Sequence, residues 1–360
     1  MNKTILFSIH ILRVLMLSLL AFGITSSRSF AQTPSVRFGE VVPRDVREIY
    51  ERGLQFLVTT QNEAGDWKGG GEQGPGVTGL CLMVLLASGE DPNFGLYSNN
   101  VRRALRNIIS GQDAGTGFYG GHLGHSSMYN HGFAMLGLAE AYGAVDDRNL
   151  WTGNEPNRRS IGQSLELAVR AAITSQKKNS FGGWRYSPDG NDADTSVSGA
   201  VLVGLLAARN AGIEVPDEVI DKSINYFTKM TSPSGQVGYS GGFGGFDESF
   251  ARISIATLVY SVSRRKDLSQ YKATLSYLTQ RLENVSQQNW PEYTRYYQAQ
   301  ALFQGDVEAW EKWNKLLVRH LKQIQLADGS IPGQMGVTLG TSMSCLALAL
   351  NYRFLPIYER

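Results

Sequence analysis

The sequence predicts an all-α protein folded as an (α/α)6 toroid, a closed barrel of six helical hairpins with an inner ring of six parallel helices. One pattern returns about every 50 residues: an amphipathic helix, a Gly-rich loop that holds an aromatic residue, and a helix rich in small apolar residues. In each unit the first helix is charged and the second is nearly uncharged, and a helix that is apolar all round must be buried. An open solenoid would leave both terminal units uncapped, so six outer and six inner helices favour a closed ring.

The units follow one another from residue 52 to residue 352. The predicted outer and inner helices are, in order, 52–61 and 77–88, 101–112 and 127–142, 164–176 and 195–208, 219–230 and 249–263, 268–282 and 294–303, and 307–325 and 341–352. The outer helix 101–112 carries three arginines, whereas the inner stretch 197–206 carries no charge. Small residues such as Gly79, Gly132 and Gly199 are expected to let inner helices approach closely.

The amino-terminal segment is typical of an export signal. Lys3 and Arg13 precede an apolar run at 14–24, and Ser29-Phe30-Ala31 resembles a cleavage site, so we expect cleavage after Ala31. A short extension at 32–44 then leads into one toroid domain at 45–360. The apolar run is short for a membrane span, so the prediction is an exported protein, periplasmic or extracellular, without a stable span after cleavage.

The charge distribution bears on the choice of partner. The formal net charge is +2, and Lys3, Arg13 and Arg28 of the signal segment account for this excess. A near-neutral body lacks the basic surface of a nucleic-acid-binding protein, so no nucleic-acid partner is expected.

The loops carry a Gln-x(3,6)-Gly-x-Trp pattern that resembles the QW repeat of squalene and oxidosqualene cyclases. The segments 296–303 and 346–358 also resemble exported bacterial prenyltransferase and squalene-oxidase repeat proteins. The resemblance implies the toroid, a central cavity for an apolar or isoprenoid-like ligand, and terpene-cyclase-like chemistry if the protein is an enzyme. It also implies a structural bracing role for the pattern residues Gln61, Trp67, Gln112, Phe118, Gln176 and Trp184.

Parallel inner helices bring their amino termini to one mouth, where free N–H groups and positive dipole ends face a common space. This mouth is the first place to look for a ligand site. The candidate ligand-binding residues near these helix starts are Tyr186, Tyr239, Phe243, Phe246, Tyr293, Tyr296, Thr195 and His125.

The run Asp192-Ala193-Asp194-Thr195 resembles the D-x-D-D motif with which class II terpene cyclases protonate an alkene. Thr195 stands at the fourth position, so the match is incomplete. Such chemistry needs a carboxylic acid that stays protonated. A carboxylate at a helix start caps free N–H groups and is favoured in its ionised form, so N-capping is the competing interpretation of Asp192 and Asp194.

A second acidic pair, Asp247 and Glu248, follows the aromatic residues Phe243 and Phe246 in unit four. Carboxylates from units three and four could serve as general acid and base on a sugar polymer, because exported (α/α)6 barrels include glycoside hydrolases and polysaccharide lyases. The alternative is a Gly-rich loop that ends in a helix cap.

No metal or cofactor is predicted. His122, His125 and His131 have a spacing that could offer metal ligands, but they are interpreted as polar histidines without metal. Cys81 and Cys345 lie on the first and last inner helices, and both a ring-closing disulfide and buried free thiols remain open.

Three functions follow from these patterns. The first is a toroid that binds an apolar or isoprenoid-like small molecule or lipid. The alternatives are a terpene-cyclase-like isomerase with Asp192 and Asp194 as proton donors, and a carbohydrate-active (α/α)6 hydrolase or lyase.

Overall fold

The computed structural model describes residues 42–68, 71–151, 153, 158–241, 248–284 and 289–356. These residues form twelve α-helices and a short 3-10 turn at Gly124–Ser126, and in this part of the chain extended backbone pairs only as three isolated β-bridges. The export signal, nearly all of the extension that follows it, and the candidate residues Phe243, Phe246 and Asp247 lie outside the described residues.

Odd-numbered helices form the outer layer and even-numbered helices form the inner layer. The outer helices are α1 (Arg44–Thr60), α3 (Ser98–Ser110), α5 (Ile161–Gln176), α7 (Asp217–Met230), α9 (Ser269–Thr279) and α11 (Val307–Ile324). The inner helices are α2 (Pro75–Leu86), α4 (Ser127–Ala141), α6 (Thr195–Asn210), α8 (Phe250–Val262), α10 (Pro291–Gly305) and α12 (Val337–Ala349).

The inner helices pack against one another in ring order, and the ring closes because α12 returns to α2. The outer helix α1 packs on both α11 and α12, so the first and last units share a seam. At this seam Arg52 donates from Nη2 to the carbonyl oxygen of Leu326 at 2.6 Å, and Lys322 pairs with Asp45 at 2.9 Å. The predicted all-α (α/α)6 toroid is thereby confirmed.

The two layers differ in burial as the sequence predicts. Every residue of α2 from Gly76 to Leu85 is buried, whereas α3 buries Val101, Ala104, Leu105 and Ile108, which is one face of an amphipathic helix. The inner helices approach closely at glycines: a Cβ on Gly132 would lie 2.7 Å from the carbonyl carbon of Ala200 in α6. A larger residue at that position would push the two helices apart.

Four glutamines join their own loop to the next outer helix around the ring. In each case the side-chain amide donates to two backbone carbonyl oxygens at 2.8–3.0 Å. The acceptors are Gly65 and Asn100 for Gln61, Gly117 and Ser164 for Gln112, Gly182 and Val219 for Gln176, and Gly329 and Ile49 for Gln325.

The aromatic residues of the same loops are anchored beneath them. The indoles of Trp67 and Trp184 donate to the carbonyl oxygens of Leu57 and Ala172, while Phe118, which has no donor, stacks on His131 with ring centroids 4.6 Å apart. These bonds support the bracing role of the glutamine and aromatic residues, which stays a prediction.

Aromatic side chains occupy the middle of the ring. Units two and five are opposite each other in a ring of six, yet Phe133 of α4 meets Tyr293 and Tyr296 of α10 with ring centroids 6.5 and 6.3 Å apart. Phe133, Tyr293, Tyr296 and Tyr297 are all buried. The sequence predicts a central cavity for an apolar ligand; at the level of these four side chains the rings occupy the middle of the ring, and a cavity at another level stays a prediction.

Cys81 and Cys345 are buried free thiols on neighbouring inner helices, so of the two alternatives left open the structure has free thiols. Burial raises the pKa of the Cys345 thiol to about 12, which leaves it unreactive at neutral pH. None of the helices in the described ranges has both the length and the apolar character to cross a membrane.

Candidate functional site

The amino-terminal ends of the inner helices gather at one mouth. The backbone N–H of Gly76 at the start of α2 donates to the Asn130 side chain at the start of α4, at 2.8 Å. Met335, just before α12, donates to the Glu292 carboxylate of α10 at 2.6 Å and accepts from the backbone N–H of Glu72 ahead of α2. The helix starts are thus tied to one another around the rim.

The floor of the mouth is an aromatic surface built from three units. Tyr129 of α4 lies edge-on to Tyr293 of α10, with ring centroids 6.2 Å apart, and also contacts Tyr186 from the loop before α6. His125 meets Tyr186 edge-on at 5.2 Å, and the Tyr293 hydroxyl donates to the carbonyl oxygen of Ser196 at 3.2 Å. Tyr129 and Tyr186 are half-buried, so parts of their rings remain accessible from outside.

Asp194 is the amino-terminal cap of α6 and is fully buried. Its Oδ1 accepts from the backbone N–H groups of Ser196 and Val197 at 2.8 and 2.9 Å, while the buried Oδ2 has no hydrogen-bond partner among the described residues. The capping interpretation therefore accounts for one of the two carboxylate oxygens and leaves the other buried without a partner in the described part of the chain.

Burial raises the pKa of Asp194 above its ordinary value. The Val197 N–H, the Tyr239 hydroxyl and the positive charge of Arg185 act in the opposite direction but do not outweigh the loss of solvent. The sequence predicted that a capping carboxylate would be favoured in its ionised form. The structure differs in that the cap is buried beside Tyr239 rather than at a solvated helix end, so the balance between the two forms is shifted toward the protonated one.

Tyr239 and Arg185 interact with Asp194, and Tyr186 and Arg252 contact Tyr239. The hydroxyls of Tyr186 and Tyr239 are hydrogen-bonded to each other. The Arg185 guanidinium lies 4.7 Å from the Tyr186 ring centroid and 5.5 Å from that of Tyr239, and the Arg252 guanidinium is 5.8 Å from the Tyr239 centroid. These contacts hold the rings in place through cation–π attraction. Burial also raises the pKa of Tyr239, so its hydroxyl keeps its proton.

The other predicted acids lie further out. Asp192 is half-buried, and its Oδ2 is 3.5 Å from Nη1 of Arg185. Glu248 is exposed and accepts a hydrogen bond from the Tyr277 hydroxyl. Of the four predicted acids, the structure brings Asp192 and Asp194 to the same arginine, and Asp247 lies outside the described residues.

Two predicted ligand-binding residues are placed away from the accessible surface. Thr195 is fully buried and its hydroxyl donates to the Gly238 carbonyl oxygen at 2.7 Å. Tyr296 is buried below the floor, where it packs on Tyr297 with ring centroids 4.9 Å apart. Tyr186, Tyr239, Tyr293 and His125 belong to the mouth.

His131 is a satisfied core residue. Its Nδ1 accepts from the Tyr119 backbone N–H at 3.1 Å, and its Nε2 lies 3.0 Å from the Ala168 carbonyl oxygen. Burial lowers the pKa of His131 to about 4, so the ring is neutral. Among the described residues, no group of three or more His, Cys, Asp or Glu side chains is arranged to hold a metal ion.

Sequence reasoning missed Tyr129, Arg185 and Arg252, which complete the mouth. Arg252 had a signal that could have found it, since it is a buried arginine in the first turn of an otherwise apolar inner helix. Tyr129 lies in the first turn of α4, at the level where the other inner helices contribute their mouth residues.

No protein-family model matches the sequence, and no curated protein matches it. Solved structures do match the fold. One is an inactive variant of the α-1,6-mannanase GH76A of Salegentibacter sp. HEL1_6, with two aspartates replaced by asparagine, in complex with α-1,6-mannotriose. Its TM-score is 0.61 at 11% identity, over 85% of this chain and 99% of that chain. Another is a crystal structure of a protein from Actinoplanes, with a TM-score of 0.53 at 16% identity, over 86% of this chain and 99% of that chain.

These comparisons correct the family resemblance. The predicted membership of the squalene-cyclase and prenyltransferase repeat proteins is wrong, because no family model supports it and the similar structures include a mannanase. The Gln side chains that suggested the resemblance bond to the next outer helix, and the two Trp side chains bond to the outer helix of their own unit. At 11% and 16% sequence identity, the structural similarity establishes the toroid fold only. The activity therefore depends on the residues of the site.

Proposed function

We propose that this protein is a carbohydrate-active (α/α)6 hydrolase that binds a glycan across the mouth of the toroid. The observation that carries the proposal is Asp194, a buried carboxyl whose pKa is raised, placed under a tyrosine pair at the edge of an aromatic surface. Glycoside hydrolysis needs a carboxylic acid that keeps its proton until the leaving oxygen takes it, and burial is one way to provide it. The mannanase of similar fold supports the substrate class.

The roles of the two acids follow from their surroundings. Asp194 is the proton donor, and its buried Oδ2, which accepts no hydrogen bond within the described part of the chain, is the oxygen left to carry the proton. Asp192 is the candidate base; it is half-buried, and its Oδ2 lies 3.5 Å from Nη1 of Arg185.

The aromatic floor fits a sugar chain. Glycan sites combine ring faces, which pack on the apolar faces of sugars, with a few polar groups that fix orientation. Tyr129 and Tyr186 provide accessible ring surface, and His125 and Arg185 provide polar edges.

The test is hydrolysis of α-1,6-mannan and of a panel of other neutral and acidic polysaccharides. The rate is measured from the release of reducing ends. The variant is Asp194→Asn, in which the amide oxygen can still cap α6. We expect the variant to lose about 10²- to 10⁴-fold in rate, the usual contribution of a general acid. Asp306→Asn is the matched control, because Asp306 caps the outer helix α11 through Ala309 and lies outside the mouth residues.

Full activity of Asp194→Asn would contradict the role of Asp194. Failure of every polysaccharide to bind or react would contradict the proposed function. A product with an unsaturated sugar end would show that the enzyme cleaves by elimination, as a lyase does, and would contradict hydrolysis.

We also propose that the protein is exported, since a polysaccharide substrate is encountered outside the cytoplasm and residues 1–31 have the composition of a signal peptide. The mature amino terminus would then be Gln32, which sequencing of the secreted protein would test.

A further inference from the structure

A groove with a volume of about 620 Å³ lies between units one and two, apart from the tyrosine cluster over Asp194. One wall is the α1–α2 loop with Glu63, and the other is the outer helix α3 from Arg103 to Ser110. His122, Trp151, Asp66 and the start of α2 also line the groove. The volume lies within the range of small-molecule sites.

The walls of the groove are held by hydrogen bonds. Asn107 donates from its side chain to the Ala64 carbonyl oxygen at 3.0 Å, and Arg103 donates to Oε1 of Gln61 at 3.0 Å. The Trp151 indole N–H donates to the Arg159 carbonyl oxygen at 2.9 Å, which fixes its half-buried ring at the groove. The loop and the helix therefore present a preformed surface.

Three polar groups in the groove have donor or acceptor atoms that are not engaged within the described part of the chain. The Glu63 carboxylate and the His122 ring have no hydrogen-bond or ion-pair partner there, and the Arg106 guanidinium is engaged only through Nε, which donates to the Arg102 carbonyl oxygen at 3.4 Å. Arg106, Asn107 and Arg103 lie on one face of α3, three and four residues apart, so they present their polar ends together.

This set of groups indicates the chemistry of the ligand. Charges of both signs face the groove, so neither a polyanion nor a polycation is favoured. A neutral polyhydroxylated ligand can donate hydroxyls to Glu63, accept hydrogen bonds from Arg106 and place an apolar sugar face on the Trp151 ring. The stretch of α3 from Arg103 to Ser110 is about 10 Å long at 1.5 Å per residue, long enough for more than one sugar unit.

We propose that this groove is a second glycan-binding site, which holds the part of a long neutral glycan that extends beyond the mouth. The start of α2, Gly74 and Pro75, lines the groove and also belongs to the ring of inner-helix starts that forms the mouth. The inference rests on the proposed function, because it takes the ligand of the mouth to be a glycan.

The test compares Arg106→Gln with Arg170→Gln. The two arginines occupy equivalent positions in successive repeats. The loop glycine Gly65 lies against the carbonyl oxygen of Arg103, and its counterpart Gly117 lies against that of Leu167. Arg106 and Arg170 each come three residues after these contact positions. Arg170 is exposed on α5 and does not line the groove. Binding of α-1,6-mannotriose and of long α-1,6-mannan chains is measured by calorimetry in the Asp194→Asn background, so that turnover does not interfere.

We expect Arg106→Gln to bind the long chain about tenfold more weakly, the effect of losing a charged hydrogen bond, and to bind mannotriose as before. Arg170→Gln should bind both ligands unchanged, and Glu63→Gln should repeat the loss with a second groove residue. Equal affinity of Arg106→Gln and Arg170→Gln for the long chain would overturn the groove site while leaving the mouth intact. If neither ligand binds the parent protein, the proposed function falls, and the groove site falls with it.

Discussion

At the residue scale, the main feature of the mouth is the conflict within Asp194 between capping and burial. One carboxylate oxygen accepts two backbone N–H groups, which favours the ionised form, while burial favours the protonated form. Asparagine satisfies the cap without the charge, so Asp194→Asn separates the two effects.

Asp194 should leave a signature in the pH dependence of stability. A carboxyl whose pKa is raised on folding contributes stability that is present below its unfolded pKa and is lost as pH rises through its folded pKa. The free energy of unfolding of the native protein, relative to that of Asp194→Asn, should therefore fall as pH increases across this range. Urea unfolding of both proteins at several pH values measures the difference, and a difference that rises with pH would contradict the burial argument.

At the element scale, the repeating joint between a loop and the next outer helix depends on a glycine in the left-handed region. Gly182 has a φ of +87°, and a Cβ there would lie 2.7 Å from the Lys222 carbonyl oxygen of α7. The adjoining Gln176 amide donates to the carbonyl oxygens of Gly182 and Val219, so loop and helix are held at a fixed distance. The glycine thus serves both the turn and the close approach.

Two alanine substitutions separate these roles. Gly212 has a φ of +93° with no atom within 4 Å of a built Cβ, so Gly212→Ala should cost about 1 to 2 kcal/mol from backbone strain alone. Gly182→Ala adds a clash with backbone and should cost about 3 kcal/mol in all. Denaturant unfolding of the two variants measures both values. Equal costs would show that the loop and α7 can move apart to accommodate the added methyl group.

At the scale of the whole molecule, closure of the ring packs the first unit against the last. In an open array each of these two units would have one uncovered side. The Gln325 amide of unit six donates to the Ile49 carbonyl oxygen of unit one, and Gly329 lies against the Arg52 carbonyl oxygen. The same joint that links successive units therefore also closes the ring.

A closed ring has no frayed end within the toroid. We expect the amide hydrogens of α1 and α12 to be as protected from exchange as those of α6, because all three helices open only when the ring unfolds. Hydrogen exchange followed by mass spectrometry tests this expectation. Faster exchange in α1 and α12 than in α6 would indicate that the seam opens independently.

The sequence by itself determined the layers of this protein, because the spacing of Gly-rich loops and the alternation of charged and uncharged helices are local patterns. It also placed Asp194, Tyr186, Tyr239 and Tyr293 near helix starts that meet at a mouth. Only the tertiary structure decided what these residues surround: Phe133 and Tyr293, which are 160 positions apart in the chain, meet across the ring and fill its middle. Burial of Asp194 likewise depends on side chains from four helical units. A local sequence pattern cannot predict this burial, because the contacts that produce it come from distant parts of the chain.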